Sequence, residues 1–440
     1  MTLAAHPGRP TAPVSLRELK DIDPFPAYEA IRAAGPVVWD EGMNAWLVTS
    51  HHLSTAILRD EDRFAEPTGS LPDAERIVGR RDIRSLLADQ HETLHRAVSH
   101  AWRPDPIAPL ATAAVRPLVA ERLAGLGPAG GFELFGGFAR LLPISVISRV
   151  LGLPDADQAT LDMAKGWMEA VLAWRHSYGE DPAATAAAIE ATRQLEPLVL
   201  DTVRARRDRP AFDGISLLWE AGRSVAPDWG EQDVLDNAKF MYEGGSETTA
   251  FLITTATYRL LALPEAERAA TLADPDRLAR FLEEVLRHSS VVHLRLRRIA
   301  VDTELGGTRL RAGERIFAIM AAANRDPARW EHPDVIDPDR PRLRSHLGFS
   351  VGPRHCAGGH LARMEALEAV SGLFRAFPDL GRAPGAPEPV PMGFVSRVWR
   401  PVELAFTPVD AATVSARVLA GATVDGGADA LAGGYGGRAG

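Results

Sequence analysis

The chain of 440 residues contains one cysteine, Cys356. No disulfide can close within it, and a reducing compartment fits. It lacks any apolar run of about 18 residues, the length a membrane-crossing helix needs. The N-terminal stretch, with Pro7, Pro10 and Pro13, has no apolar core of signal-peptide length. A cytoplasmic protein with no membrane partner is therefore expected. A basic excess is missing as well. The formal net charge is −9, whereas nucleic-acid binders usually carry a basic surplus or stripe, so no nucleic-acid partner is expected. Internal repeats and linker-like stretches are also absent.

What is present supports a large packed body. Apolar residues make up 46% of the chain and charged residues 24%, enough for a sizeable core under a solvated surface. The expected organisation is one domain over residues 16–410. The flanking stretches 1–15 and 411–440 are rich in Pro, Gly and other small residues and read as disordered tails. Strand signals are few. Val37 to Trp39 and Ala45 to Val48 flank a turn, Asp302 to Leu310 folds back at Gly306-Gly307, and Val398 to Phe406 reads as a terminal strand. The rest is mostly helical in pattern. Asp228 to Glu231 is similar to a capping box, and the helix it would open runs to about Leu263, stopped by Pro264. Such a rod is roughly 50 Å long.

The most specific segment is Phe349 to Gly359, FSVGPRHCAGG. Gly352 and Pro353 lead into Cys356, and Gly358-Gly359 opens a helix carrying Leu361, Met364, Leu367, Val370, Leu373 and Phe377 along one side. A thiol at a helix N-terminus meets unpaired N–H groups and the positive end of the macrodipole, which favour the thiolate. A lone cysteine beside a glycine turn is more often a bland buried residue. The neighbours argue otherwise. Phe349, Gly352, Arg354, Cys356 and Gly358 resemble the cysteine loop of the cytochrome P450 superfamily; Ser350 stands where that family often has Gly. The resemblance spans roughly residues 22–407. It implies a mainly α fold with small β segments, the haem lying between the long central helix and the cysteine-loop helix, and Cys356 as the iron's axial ligand.

Further motifs fit the resemblance. Glu284 and Arg287 match its Glu-x-x-Arg helix, and Arg340 in ANRDPARWEHPDVIDPDRP would complete a structural Glu-Arg-Arg cluster. On the long helix, Gly244 to Thr249 (GGSETT) match its oxygen-activating segment, which makes Glu247 and Thr248 the expected catalytic proton-delivery pair. Gly244-Gly245 weakens the helix and predicts a kink there; a close helix crossing is the competing reading. Expected haem contacts are His91, His95 (where the family has Arg), Arg297, Phe349, Arg354 and Gly358. Substrate contacts are expected at Glu243, Gly244 and Val292, with His293 and Arg295 nearby. Glu243 lies one turn from Glu247, so a cation or a proton must relieve their repulsion. An ion pair with a protein arginine and an anchor for a substrate cation both remain open.

The resemblance implies a bacterial monooxygenase of secondary metabolism. Its cofactors would be haem b and O2, with NAD(P)H electrons arriving through ferredoxin reductase and ferredoxin. It would insert one oxygen atom into a small organic substrate by hydroxylation, dealkylation or oxidative coupling. A peroxide-driven haem enzyme would not need the acid-threonine pair. A haem carrier or gas sensor would have no use for it. Arg96, Arg103 and Arg363 are expected to steer an acidic ferredoxin.

Overall fold

The computed structural model describes residues 9–421 apart from 87, 102–103 and 155–157. Helix dominates, and the chain divides into two compact units rather than one. The first comprises residues 1–67, 284–356 and 390–398, the second residues 68–283, 357–389 and 399–440.

The first unit is built on a five-stranded mixed sheet. Its strand order is Val38–Asp40, Ala45–Val48, Arg315–Ile319, Leu294–Ile299 and Phe64–Ala65. Ala45–Val48 (AWLV) pairs in parallel with Arg315–Ile319, and both lie almost entirely buried, so they read as continuous apolar runs. The expected hairpins are present, Val38–Asp40 with Ala45–Val48 and Thr303–Leu305 with Thr308–Leu310. The N-terminal boundary lies earlier than expected. Trp39 bonds Pro10 and Ala12 through the backbone, and Arg9 pairs with Glu314 at 2.6 Å.

A buried charge cluster organises the rest of this unit. The Glu284 carboxylate receives two bonds from Arg287, at 2.7 and 2.8 Å, and one from Arg340 Nε at 3.1 Å. Arg287 also donates to the carbonyls of Asn324, Pro333 and Val335, and Arg340 to those of Glu331, His332 and Val335. Glu284 and Arg287 are both fully buried. Two side chains thus fasten an irregular stretch of backbone that has no ladder of its own.

The second unit is helical, with one small sheet of Gly131–Glu133, Glu403–Ala405 and Gly381–Arg382. Its axis is the 31-residue helix Glu231–Leu261, roughly 46 Å long. The cap differs from the expected one. Gly230 is the N-cap and Asp233 bonds its N–H at 2.8 Å, while Asp228 instead pairs with Arg81. The helix packs against Leu141–Leu151, Pro182–Asp208 and the cysteine-loop helix Gly359–Ala376. Buried Thr254 and Thr257 return their hydroxyls to the carbonyls of Ala250 and Ile253, which satisfies polar atoms in an otherwise dry contact.

The expected C-terminal tail begins instead with a helix, Ala411–Leu419. Asp410 caps it by accepting from Thr413 N–H, Val414 and Val418 are fully buried, and Arg116 holds the Gly421 carbonyl at 2.9 Å. The small residues that suggested disorder carry a four-residue apolar repeat that finds a partner in the helix Pro104–Leu126. Residues 1–8 and 422–440 lie outside the described residues.

Breaking a buried ion pair by removing one partner costs about 3–5 kcal/mol, because the remaining charge is stranded. Arg340→Leu should therefore lower stability by about that amount in a denaturant titration. Replacing Arg193 by Leu in the exposed pair Arg193–Glu190 should leave the unfolding midpoint nearly unchanged, because water screens that pair.

Candidate active site

In the first unit the cysteine loop follows the expected motif. Cys356 is exposed, its N–H donates to the Phe349 carbonyl at 2.9 Å, and the helix of the loop begins three residues later at Gly359 with Gly358 as N-cap. Gly352 has φ +79°, and a Cβ there would stand 2.9 Å from the Arg59 Cα and the Leu58 carbonyl. Ser350 also adopts a left-handed conformation, φ +60°, and its buried hydroxyl has no partner. That geometry explains why glycine suits this place: a side chain there costs about 1–2 kcal/mol.

Arg297 lies inside the strand Leu294–Ile299, 2% exposed, while Arg298 beside it is exposed. Its Nη1 donates to Glu66 at 2.8 Å and to its neighbour's carbonyl, but its buried Nε has no partner. Arg354 pairs with Glu61. Val292 is buried and bridges to Ser396. The buried His293 ring meets the Tyr28 hydroxyl at 3.1 Å and packs against Phe25. Burial, with Arg397 nearby, holds it well below the usual histidine range.

In the second unit, His91 and His95 share one face of the helix Ala88–Ala101, with ring centroids 5.3 Å apart. Arg96 points elsewhere, exposed and bonded to Glu92. The expected ferredoxin patch is weaker than the sequence suggested. Arg363 is held by the buried Glu283 and has little exposed side chain, and Arg103 lies outside the described residues.

The long helix is assigned as helix without interruption through Gly244–Thr248. The glycine pair shows the close-crossing reading, and the expected kink does not interrupt the helix. Gly245 is the close crossing: a Cβ there would sit 3.1 Å from Ile147 Cδ1 of the neighbouring helix. Gly244 is exposed, with nothing nearer than Phe240 at 3.9 Å. Thr248 stands one turn on, donating its hydroxyl to the Gly244 carbonyl at 3.0 Å.

Glu247 lines a small cleft with Arg140, Ile144, Met168, Glu169 and Ser246. Burial and the nearby Glu243 charge push its pKa up to about 7, with Arg140 opposing. Glu243 shows the ion pair with protein arginines that the sequence left open. It is 5% exposed and accepts from Arg84 at 2.7 Å and Arg175 at 2.6 Å. Burial alone would raise its pKa; the two guanidiniums outweigh that and hold it down at about 2. The repulsion foreseen between the two carboxylates is thus relieved twice, by cations at Glu243 and by a proton at Glu247. Arg84 and Arg175 are distant in sequence, and nothing local announced them.

The donor set fits a haem. The exposed thiol stands next to a helix start, a cramped glycine lies in its loop, and the orphaned Nε of buried Arg297 can still donate to an anion. Comparison with known proteins agrees. A Cytochrome P450 family profile matches residues 276–391. The cytochrome P450 monooxygenase PikC of Streptomyces venezuelae is 32% identical over 370 residues, covering 81% of this chain and 85% of that one. The mycinamicin IV hydroxylase/epoxidase of Micromonospora griseorubida is 33% identical over 347 residues, covering 77% and 83%. The crystal structure of HmtN, a post-tailoring hydroxylase involved in himastatin biosynthesis, superposes with a TM-score of 0.74 at 28% identity over 89% of this chain and all of that one. The fold and cysteine loop define a haem-thiolate oxygenase. The chain belongs to the cytochrome P450 family, whose members use haem and O2, and it is a P450 monooxygenase. Among the described residues, no helix is long and apolar enough to cross a membrane.

The two glycines should respond oppositely to one methyl group. Gly244→Ala should stabilise the fold by about 0.5–1 kcal/mol, the helix-propensity difference. Gly245→Ala should destabilise it, because Ile147 must give way. Thermal melts of the two variants check this.

Proposed function

We propose that this monooxygenase inserts one oxygen atom into an assembled secondary metabolite, most readily by hydroxylation, with NAD(P)H electrons passed through ferredoxin reductase and ferredoxin. The names of its relatives, a mycinamicin IV hydroxylase/epoxidase and a post-tailoring hydroxylase, support the substrate class. The observation that carries the reaction type is the pair Glu247 and Thr248, an acid poised near neutrality beside a hydroxyl on an accessible turn.

When bound, haem supplies the iron that activates O2. Cys356 would hold it as thiolate. Arg297, Arg354, His91 and His95 are the candidates for its propionates, and Phe349 and Gly358 for its macrocycle. Thr248 gives its own proton to Gly244, which leaves its lone pairs to accept from water. With a pKa near the working pH, Glu247 can both release a proton and regain one from the solvent side, where Arg140 and Glu169 line the cleft. A peroxide-driven reaction has no need of such a pair.

Cys356→Ala should lose the red-shifted Soret band of the reduced, carbon-monoxide-bound protein, since no other thiolate exists in the chain. Thr248→Ala should keep haem and substrate binding but form less product per NADPH and release more peroxide, measured with a surrogate ferredoxin and reductase. Turnover supported by hydrogen peroxide and not by NADPH would count for the peroxide-driven alternative.

A further inference from the structure

Glu243 takes no part in the reaction just described, yet several turns of protein converge to hold it. The segment before it is pinned to the long helix rung by rung. Arg81 pairs with Asp228 and Asp233, Asn237 accepts from Ile83 N–H and donates to the Arg81 carbonyl, and the Arg84 guanidinium lies 4.8 Å from the Phe240 ring centre. Arg84 is shared between Asp82, fully buried, and Glu243. From the other side, Arg175 reaches Glu243 from the helix Gln158–His176. Three elements therefore meet at one carboxylate, which stays ionised.

We propose that Glu243 is a positioning residue for Glu247: its clamped negative charge, one helical turn away, sets how firmly Glu247 holds its proton. The inference rests on Glu247 being the proton-delivery acid. Residues four apart lie on the same face of a helix; Glu243 is buried and Glu247 lines a narrow cleft, so the repulsion is screened less than at an open surface. Glu247 is faced by Arg140 and Arg175, which favour its anion, and by Glu243 and Glu169, which oppose it. Arg140 is itself paired with Glu169. Glu243 is the acid in that set held on the same helix and ionised at every working pH.

The test is a pH titration of Glu247 in the haem-loaded protein, followed by infrared difference spectroscopy with 13C-labelled glutamate. The band missing in Glu247→Gln identifies the group. Glu243→Gln removes the opposing charge and frees two cations, so the midpoint should fall by about one to two pH units. Arg175→Gln removes a cation while Arg84 keeps Glu243 ionised, so the midpoint should rise. A folded Glu243→Gln protein with an unmoved midpoint overturns the proposal, as do shifts of both variants in the same direction. If Glu243→Gln does not fold, Arg84→Gln decides: Arg84 pairs with Glu243 and is not among the groups facing Glu247, so a rise of the midpoint supports the proposal, and no change or a fall overturns it. Product formed per NADPH is measured separately in Glu247→Gln. Unchanged coupling there, with the midpoints moving as expected, would remove the proton-delivery role and leave the electrostatic one standing.

Discussion

A carboxylate that stays charged out of water needs cations beside it, and that constraint shapes the fold at Glu284 and at Glu243. Glu284 meets it with Arg287 and Arg340, whose remaining donors then collect five different backbone carbonyls from the stretch between Asn324 and Val335. Backbone without helix or strand has unspent acceptors, and a planar five-donor guanidinium is the side chain best suited to gather them. The cluster contributes less as an ion pair than as a fixed frame. Remove one member and the loop loses its hydrogen bonds together with its charge balance.

The long helix repeats the solution with a different emphasis. Its buried face carries Asp236, Lys239 and Glu243: Lys239 reaches Glu196 and Glu243 reaches Arg84 and Arg175 on other elements, while Asp236 pairs with Lys239 of the same helix. Asp236, with Lys239 and Gln232 as partners, is still pushed up to about 6 by burial. A helix this polar inside could not be held by apolar packing alone. Each ionic partner fixes the register of one neighbour, which makes the helix a spine whose attachments are specific rather than interchangeable.

Local information made some of this legible and hid the rest. The spacing of Glu284 and Arg287 is visible in sequence, and the family resemblance supplied Arg340. The cysteine loop, the two hairpins and the long helix were legible because each is written in consecutive residues. The partners of Glu243 were not, since Arg84 stands 159 and Arg175 68 residues away. The choice between a kink and a crossing at Gly244-Gly245 could not be made without knowing that Ile147 lies against Gly245. Composition misled at the C-terminus, where Ala and Val, spaced to fill a groove, passed for a tail. The Tyr28 partner of His293 was hidden in the same way as those of Glu243, 265 residues away in the chain.

The lone, exposed cysteine also gives the protein a built-in gauge of its own preparation. Thiol reagents have one address on this chain. Iron coordinated at Cys356 would shield the sulfur, so the fraction of chains alkylated under native conditions counts those that lack cofactor. Intact-mass spectra then report occupancy directly, without an extinction coefficient. The same property means that no disulfide can be scrambled within the chain during refolding.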